Sequence, residues 1–356
     1  MGPGQPWKHV LQILLGVSAL LLFFRWINLR DSVQALRGMD PWLFAWTCVL
    51  GIVGTTIRGL RFYVLARAVE APVTVTQSVL ANYAASLLAI VTPARVGEGG
   101  KVLFFANGRT LSARNPQATN QKAHGKALAA GFVFEKLADL GLLLLAGAYG
   151  VLVFRRYVSA LLILTALLAL GVALLLNLER LLNLVLRTQP ILMGPDARTH
   201  SGGARERTPM RDGWLGTTAR QIPARSWAYV GLCTVAIWYL GILAQIVGAR
   251  ALGLSVPIPL MIQVSALSAI AGTLSGTPSG IGTSQWVFTT LLSQVLEVDR
   301  AAVGALSLLL LVAAYLTALL QGSVGTALYR LLARQLWRAG PDARTHSDVQ
   351  THSDVR

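Results

Sequence analysis

Long apolar runs recur along the chain at 10–24, 42–57, 128–154, 157–178, 227–247 and 301–329, and they decide what it can fold into. With 54% hydrophobic and only 13% charged residues over 356 positions, a soluble domain is excluded. In a bilayer every backbone N–H and C=O needs an internal partner, so such runs are helices. Most reach the roughly 20 residues that cross the hydrocarbon, and the two short ones at 10–24 and 42–57 are extended by snorkelling of Arg25 and Arg58.

Two less regular apolar segments, 77–105 and 258–296, are each broken by the same small motif, Thr92-Pro93-Ala94-Arg95-Val96-Gly97 and Thr277-Pro278-Ser279-Gly280-Ile281-Gly282. Broken backbone at bilayer depth is tolerated only where it is buried in protein or lines a cavity. The pair therefore predicts two re-entrant helical hairpins flanking a site near the midplane. The motifs lie 185 residues apart, and sliding the sequence by that distance over 42–97 makes 12 of 56 positions identical, including Trp42 with Trp227, Cys48 with Cys233 and Pro72 with Pro257. The expected fold is an all-α polytopic membrane protein with six full transmembrane helices plus two re-entrant hairpins in an inverted repeat. Residues 1–186 form the N-terminal half, 187–225 a polar cytoplasmic linker, 226–329 the C-terminal half and 330–356 a disordered tail.

The net charge of +16 would point to nucleic acid in a soluble protein. Here its distribution argues for orientation instead, because positive loops face the cytoplasm. With the N-terminus inside, the inside segments hold 21 of the 31 Lys and Arg, with Arg58, Arg61 and Arg67 counted in a loop, and the outside segments hold 7. Both termini are then cytoplasmic, in a plasma-membrane protein. Cys48 and Cys233 fall inside predicted spans as small packing residues.

Six ionisable residues lie where lipid should be: Arg95, Glu98 and Lys101 after the first break, and Glu135, Lys136 and Asp139 in the next span. Each costs about 2.5 to 3.5 kcal/mol at a helix centre, so mutual pairing is expected, with Arg95 or Lys101 against Glu135 or Asp139. Gly97, Gly99 and Gly100 allow close backbone approach. An anionic head group is the natural guest of that half. The second break offers Ser275, Thr277, Ser279, Thr283, Ser284 and Gln285 and no charge, so the predicted site is asymmetric. Its substrate-binding residues are Arg95, Gly97, Glu98, Lys101, Glu135, Asp139, Thr277, Ser279, Gly280, Gly282 and Gln285.

Catalytic chemistry fails on inventory. All five His lie in predicted loops or tails, one Asp is at depth, and no Walker A loop exists, so no metal site, cofactor or ATP-driven export by this chain alone is expected.

Three motifs, Pro93-Ala94-Arg95-Val96-Gly97-Glu98 with Lys101, Phe134-Glu135-Lys136-Leu137-Ala138-Asp139, and Pro278-Ser279-Gly280-Ile281-Gly282, resemble the family named for the transmembrane region of lysylphosphatidylglycerol synthase. In that family the third motif usually reads Pro-Gly-Gly-Leu-Gly with a Glu three residues on; here Ser279 and Gln285 stand at those positions. The resemblance implies a flippase-like or translocase-like domain that moves an anionic phospholipid or lipid-linked head group between leaflets. The family's soluble aminoacyl-transferase domain is not expected in a chain with 27 residues after Tyr329, so the protein is not expected to be an enzyme. The alternative is a membrane-embedded transferase or accessory subunit in lipid or polyprenol-linked glycan synthesis, with Glu135 or Asp139 as base. Expected partners are membrane lipids and a protein bound through the basic linker.

Overall fold

The computed structural model describes residues 18, 20–27, 29–71, 73–92, 95–106, 121–153, 214–275 and 277–338. The expected span at 157–178 lies outside the described residues, as do most of 10–24, most of the linker, and 339–356. The described part is all-helical: α1 (Leu29–Arg37), α2 (Pro41–Ala68), α3 (Val75–Val91), a 3₁₀ turn (Val96–Gly99), α4 (Gly100–Ala106), α5 (Gln121–Val153), α6 (Trp214–Gln221), α7 (Ala224–Ala251), α8 (Ile258–Leu274), α9 (Thr283–Leu296) and α10 (Arg300–Arg338). By length and composition α2, α7 and α10 as far as Leu331 can cross a membrane, while α3 and α8 are shorter apolar helices.

Local sequence explains the starts. Asp40 caps α2 by accepting from the N–H of Trp42 at 2.8 Å and of Leu43 at 3.3 Å, with Pro41 at the first helical position. Thr74 and Gln77 form a reciprocal capping box at α3.

α2 does not end near residue 57. It continues to Ala68, because no proline intervenes before Pro72 and the two arginines in the extension acquire carboxylate partners inside the protein. Arg58 and Arg61, expected to be loop charges, therefore sit on a packed helix. The polar stretch ends in structure as well. α6 runs over residues expected to be linker, and Thr218 and Ile222 are buried because this segment packs against the cluster that holds Phe62 and Phe134. α10 continues past Tyr329 to Arg338, into the segment expected to be a disordered tail.

Two halves can be followed helix by helix. α2 and α7 both have 28 residues, α3 and α8 both have 17, and each shorter helix starts seven residues after the longer one ends, Ala68 to Val75 and Ala251 to Ile258. Both connections turn through a residue in the left-handed region, Glu70 (φ 58°) and Gly253 (φ 72°). α2 and α7 lie antiparallel: the Asp40 N–H bonds to the Ala251 carbonyl at 2.9 Å, and near the far end of α2 Arg61 reaches Thr234. Around this pair, α3 packs on α10 and α8 on α5. At Gly325 of α10 a Cβ would lie 2.6 Å from Tyr83 Cβ and 2.9 Å from the Ala84 backbone nitrogen, so glycine is what lets α3 approach.

Trp42, Trp46 and Tyr229, within two turns of their helix starts, are exposed as residues of an interfacial belt would be, and Tyr239 is exposed at mid-helix. Trp227 and Trp238 instead pack inward, the former edge-on to Phe134 with ring centroids 5.2 Å apart.

Candidate functional site

Each break is closed by its own threonine. Thr92 Oγ accepts from the Gly97 N–H at 2.7 Å and donates to the Leu88 carbonyl at 2.8 Å. Arg95 turns through the left-handed region, and Gly97 presses so close that a Cβ would meet the Leu88 carbonyl oxygen at 2.3 Å. Thr277 Oγ donates to the Ile281 carbonyl at 3.1 Å, and Gln285 Oε1 accepts from the Gly282 N–H at 2.7 Å. Ser279, Gly280 and Gly282 all have positive φ, and a Cβ on Gly280 would lie 2.8 Å from Gly272 Cα. Backbone groups freed from the helices are thus recovered by side chains, which permits irregular chain at depth.

The two breaks touch. The Ser279 N–H donates to the Thr92 carbonyl at 3.1 Å, joining residues from opposite halves of the chain.

A cavity of about 450 Å³ opens against this junction, walled by α2, α3, α7, α8, α9 and α10. Its charged wall holds Arg58, Arg95 and Glu98; its neutral wall holds Ser265, Ser268, Ser279, Ser284 and Gln285. The Tyr315 hydroxyl also belongs to a lining residue and is buried without a hydrogen-bond partner among the described residues.

The expected site residues divide. Arg95, Glu98, Ser279 and Gln285 line the cavity, whereas Gly97, Thr277, Gly280 and Gly282 shape the breaks beside it. Lys101, Glu135 and Asp139 do not line it and form a packed ion network behind the charged wall. Lys101 pairs with Glu135, as expected, and also lies over the Phe62 ring at 4.6 Å. Asp139 takes neither Arg95 nor Lys101. It accepts two bonds from Arg61, at 2.7 and 3.1 Å, and lies 3.8 Å from Arg58. Arg61, only 1% exposed, reaches Glu135 at 3.4 Å and Thr234 at 2.9 Å as well. The planar fork of an arginine suits this shared role.

Arg95 pairs with Glu98 at 3.6 Å, one helical step away, rather than with α5. Lys136 also pairs with Glu98, and Arg58 approaches the same carboxylate at 4.0 Å.

Sequence reasoning missed Arg61 and Arg58. The available signal was their spacing of three on a helix with no breaker before Pro72, facing a span that carries Glu135 and Asp139 at i, i+4. Polar residues inside apolar helices, Asn82, Ser86, Gln245 and Ser265, were a second signal, and all four line the cavity. Among the described residues no group of His, Cys, Asp and Glu could hold a metal.

No curated protein matches the chain. The family described as the lysylphosphatidylglycerol synthase TM region matches residues 9–322, nearly the whole length. The chain, with its two motif-built breaks and the charges beside them, belongs to that family.

Proposed function

We propose that the protein is a flippase-like lipid translocase of the plasma membrane, with six spans, two re-entrant hairpins in an inverted repeat, and both termini cytoplasmic. The repeat is supported by the matched helix lengths, by the antiparallel packing of α2 on α7, and by the exchange of partners in which α3 meets α10 while α8 meets α5. The observation that carries the function is the cavity where the two breaks meet, lined by charged and hydroxyl groups alongside apolar residues such as Leu50, Ile237, Phe288 and Leu310, and bounded by helices whose outer faces are apolar. A head group occupies such a volume while its acyl chains stay in lipid. Arg95 and Arg58 hold the anionic group. The hydroxyl and amide groups of the second break offer weaker, uncharged partners on the opposite wall, so the head group is passed on rather than trapped.

The transferase reading loses its proposed base. Glu135 and Asp139 are each held by cations and lie behind the cavity wall, away from any guest.

The test is movement of a fluorescent anionic lipid between leaflets of vesicles containing the purified protein, followed by head-group quenching. Arg95→Ala is expected to slow transfer at least tenfold while the fold is retained. Unchanged rates in the folded variant would sink the site.

A further inference from the structure

We infer that the group held in the cavity is doubly negative, a phosphomonoester or diphosphate, in preference to a singly charged phosphodiester or a net-cationic aminoacylated one. This rests on reading the cavity as a head-group site. Among the described residues, the connected cluster contains Arg58, Arg61, Arg95, Lys101 and Lys136 against Glu98, Glu135 and Asp139. Glu135 with Lys101 and Asp139 with Arg61 balance as buried pairs. What remains is one carboxylate, Glu98, surrounded by Arg58, Arg95 and Lys136, an excess of two positive charges.

Both arginines of that surplus face the cavity, beside the unpartnered Tyr315 hydroxyl. Excess charge at bilayer depth is costly unless something compensates it, so the guest should supply the missing charge. A phosphomonoester carries about −1.5 to −2 near pH 7, and the acceptor oxygens it presents match the two guanidinium groups. A diester leaves one positive charge uncompensated. A lysyl ester adds a further cation to a site that already has too many.

The full chain in nanodiscs of zwitterionic lipid tests this with phosphatidic acid as monoester probe, phosphatidylglycerol as diester probe, and inorganic phosphate as competitor, with binding read by native mass spectrometry. Phosphatidic acid is expected to bind about tenfold more tightly than phosphatidylglycerol at pH 7.5, the least that a close charge pair usually contributes. The ratio should shrink at pH 5, where a monoester with second pKa near about 6 loses its second charge. Glu98→Gln should raise the ratio and Lys136→Gln should lower it, opposite responses that misfolding cannot produce. Displacement by inorganic phosphate as effective as phosphatidic acid would keep the dianion and assign its source as the free ion. Equal binding of the two lipids, or tighter binding of a lysylated diester, overturns the inference while leaving translocation standing. If no anionic lipid binds, the translocation reading itself fails.

Discussion

The two breaks share a plan and differ in what they ask of the protein. Both follow a 17-residue helix, both are closed by a threonine hydroxyl, and both bend through left-handed residues. The first then leads into Glu98 and Lys101, which tie it to α5 by ion pairs with Lys136 and Glu135. The second is held by uncharged bonds from Thr277, Ser284 and Gln285 to its own backbone. One break is anchored to α5 by charge, while the other is held by uncharged bonds to its own backbone and to the Thr92 carbonyl. The same bend can therefore serve as a fixed wall in one half and as an adaptable one in the other. The helices recur at a spacing of 183 residues, Pro41 to Ala224 and Val75 to Ile258, but the Thr-Pro pairs at 185, Thr92 to Thr277, so the second break has two extra residues in which to form its own bonds.

The largest expected effect breaks the anchor. Arg61→Leu leaves Glu135 with one cation and Asp139 with only the more distant Arg58, in an interior where an uncompensated charge costs about 3–5 kcal/mol. Denaturant unfolding in detergent should register most of that loss. No single substitution in the second break should approach it. A double variant, Arg61→Leu with Asp139→Asn, should recover part of the stability, since the orphaned carboxylate is then neutral while Glu135 keeps Lys101.

Next come the glycines. Gly97→Ala drives a methyl against the Leu88 carbonyl, and Gly280→Ala drives one against Gly272 while imposing a left-handed φ on alanine. Each should cost about 1–3 kcal/mol. Gly97→Ala should also weaken binding of the anionic lipid, because it shifts Arg95 and Glu98 on either side of it in the same turn. Gly280→Ala should lower stability with a smaller effect on affinity. Equal losses of affinity would remove the distinction between a charged wall and a neutral one.

What could be read in the residues follows from how local each signal is. The breaks were legible because Pro and Gly act within a few positions, and the broken apolar segments at 77–105 and 258–296 fall within a few residues of the helix pairs α3 to α4 and α8 to α9. The Lys101 to Glu135 pair was legible as one of several permitted pairings, since burial requires a partner without naming it. Arg61 was not legible. Hydropathy ends a span at its first arginine, whereas the structure continues α2 for ten residues past Arg58 because a second helix supplies carboxylates. That information is tertiary, and so is the contact between Thr92 and Ser279, which no spacing within either motif announces.

The smallest effect sharpens the comparison most, at Gln285. Its Oε1 accepts from the Gly282 N–H and, at 3.2 Å, from Ser284 Oγ, so it caps the second break. Gln285→Ala removes that acceptor and should cost about 0.5–2 kcal/mol, the range for a lost cap. Gln285→Glu keeps the acceptor, so stability should stay within about 0.5 kcal/mol of the parent, as for a substitution that preserves the cap. It also introduces a carboxylate into a cavity lining that carries Arg58 and Arg95 against Glu98. Affinity for an anionic lipid should then fall about threefold to tenfold, less at high salt, because charges facing a wet cavity are screened. If Gln285→Glu left affinity unchanged while Gln285→Ala lowered it, the second break would contribute through its shape alone, and its lack of charge would have no bearing on which head group the cavity accepts.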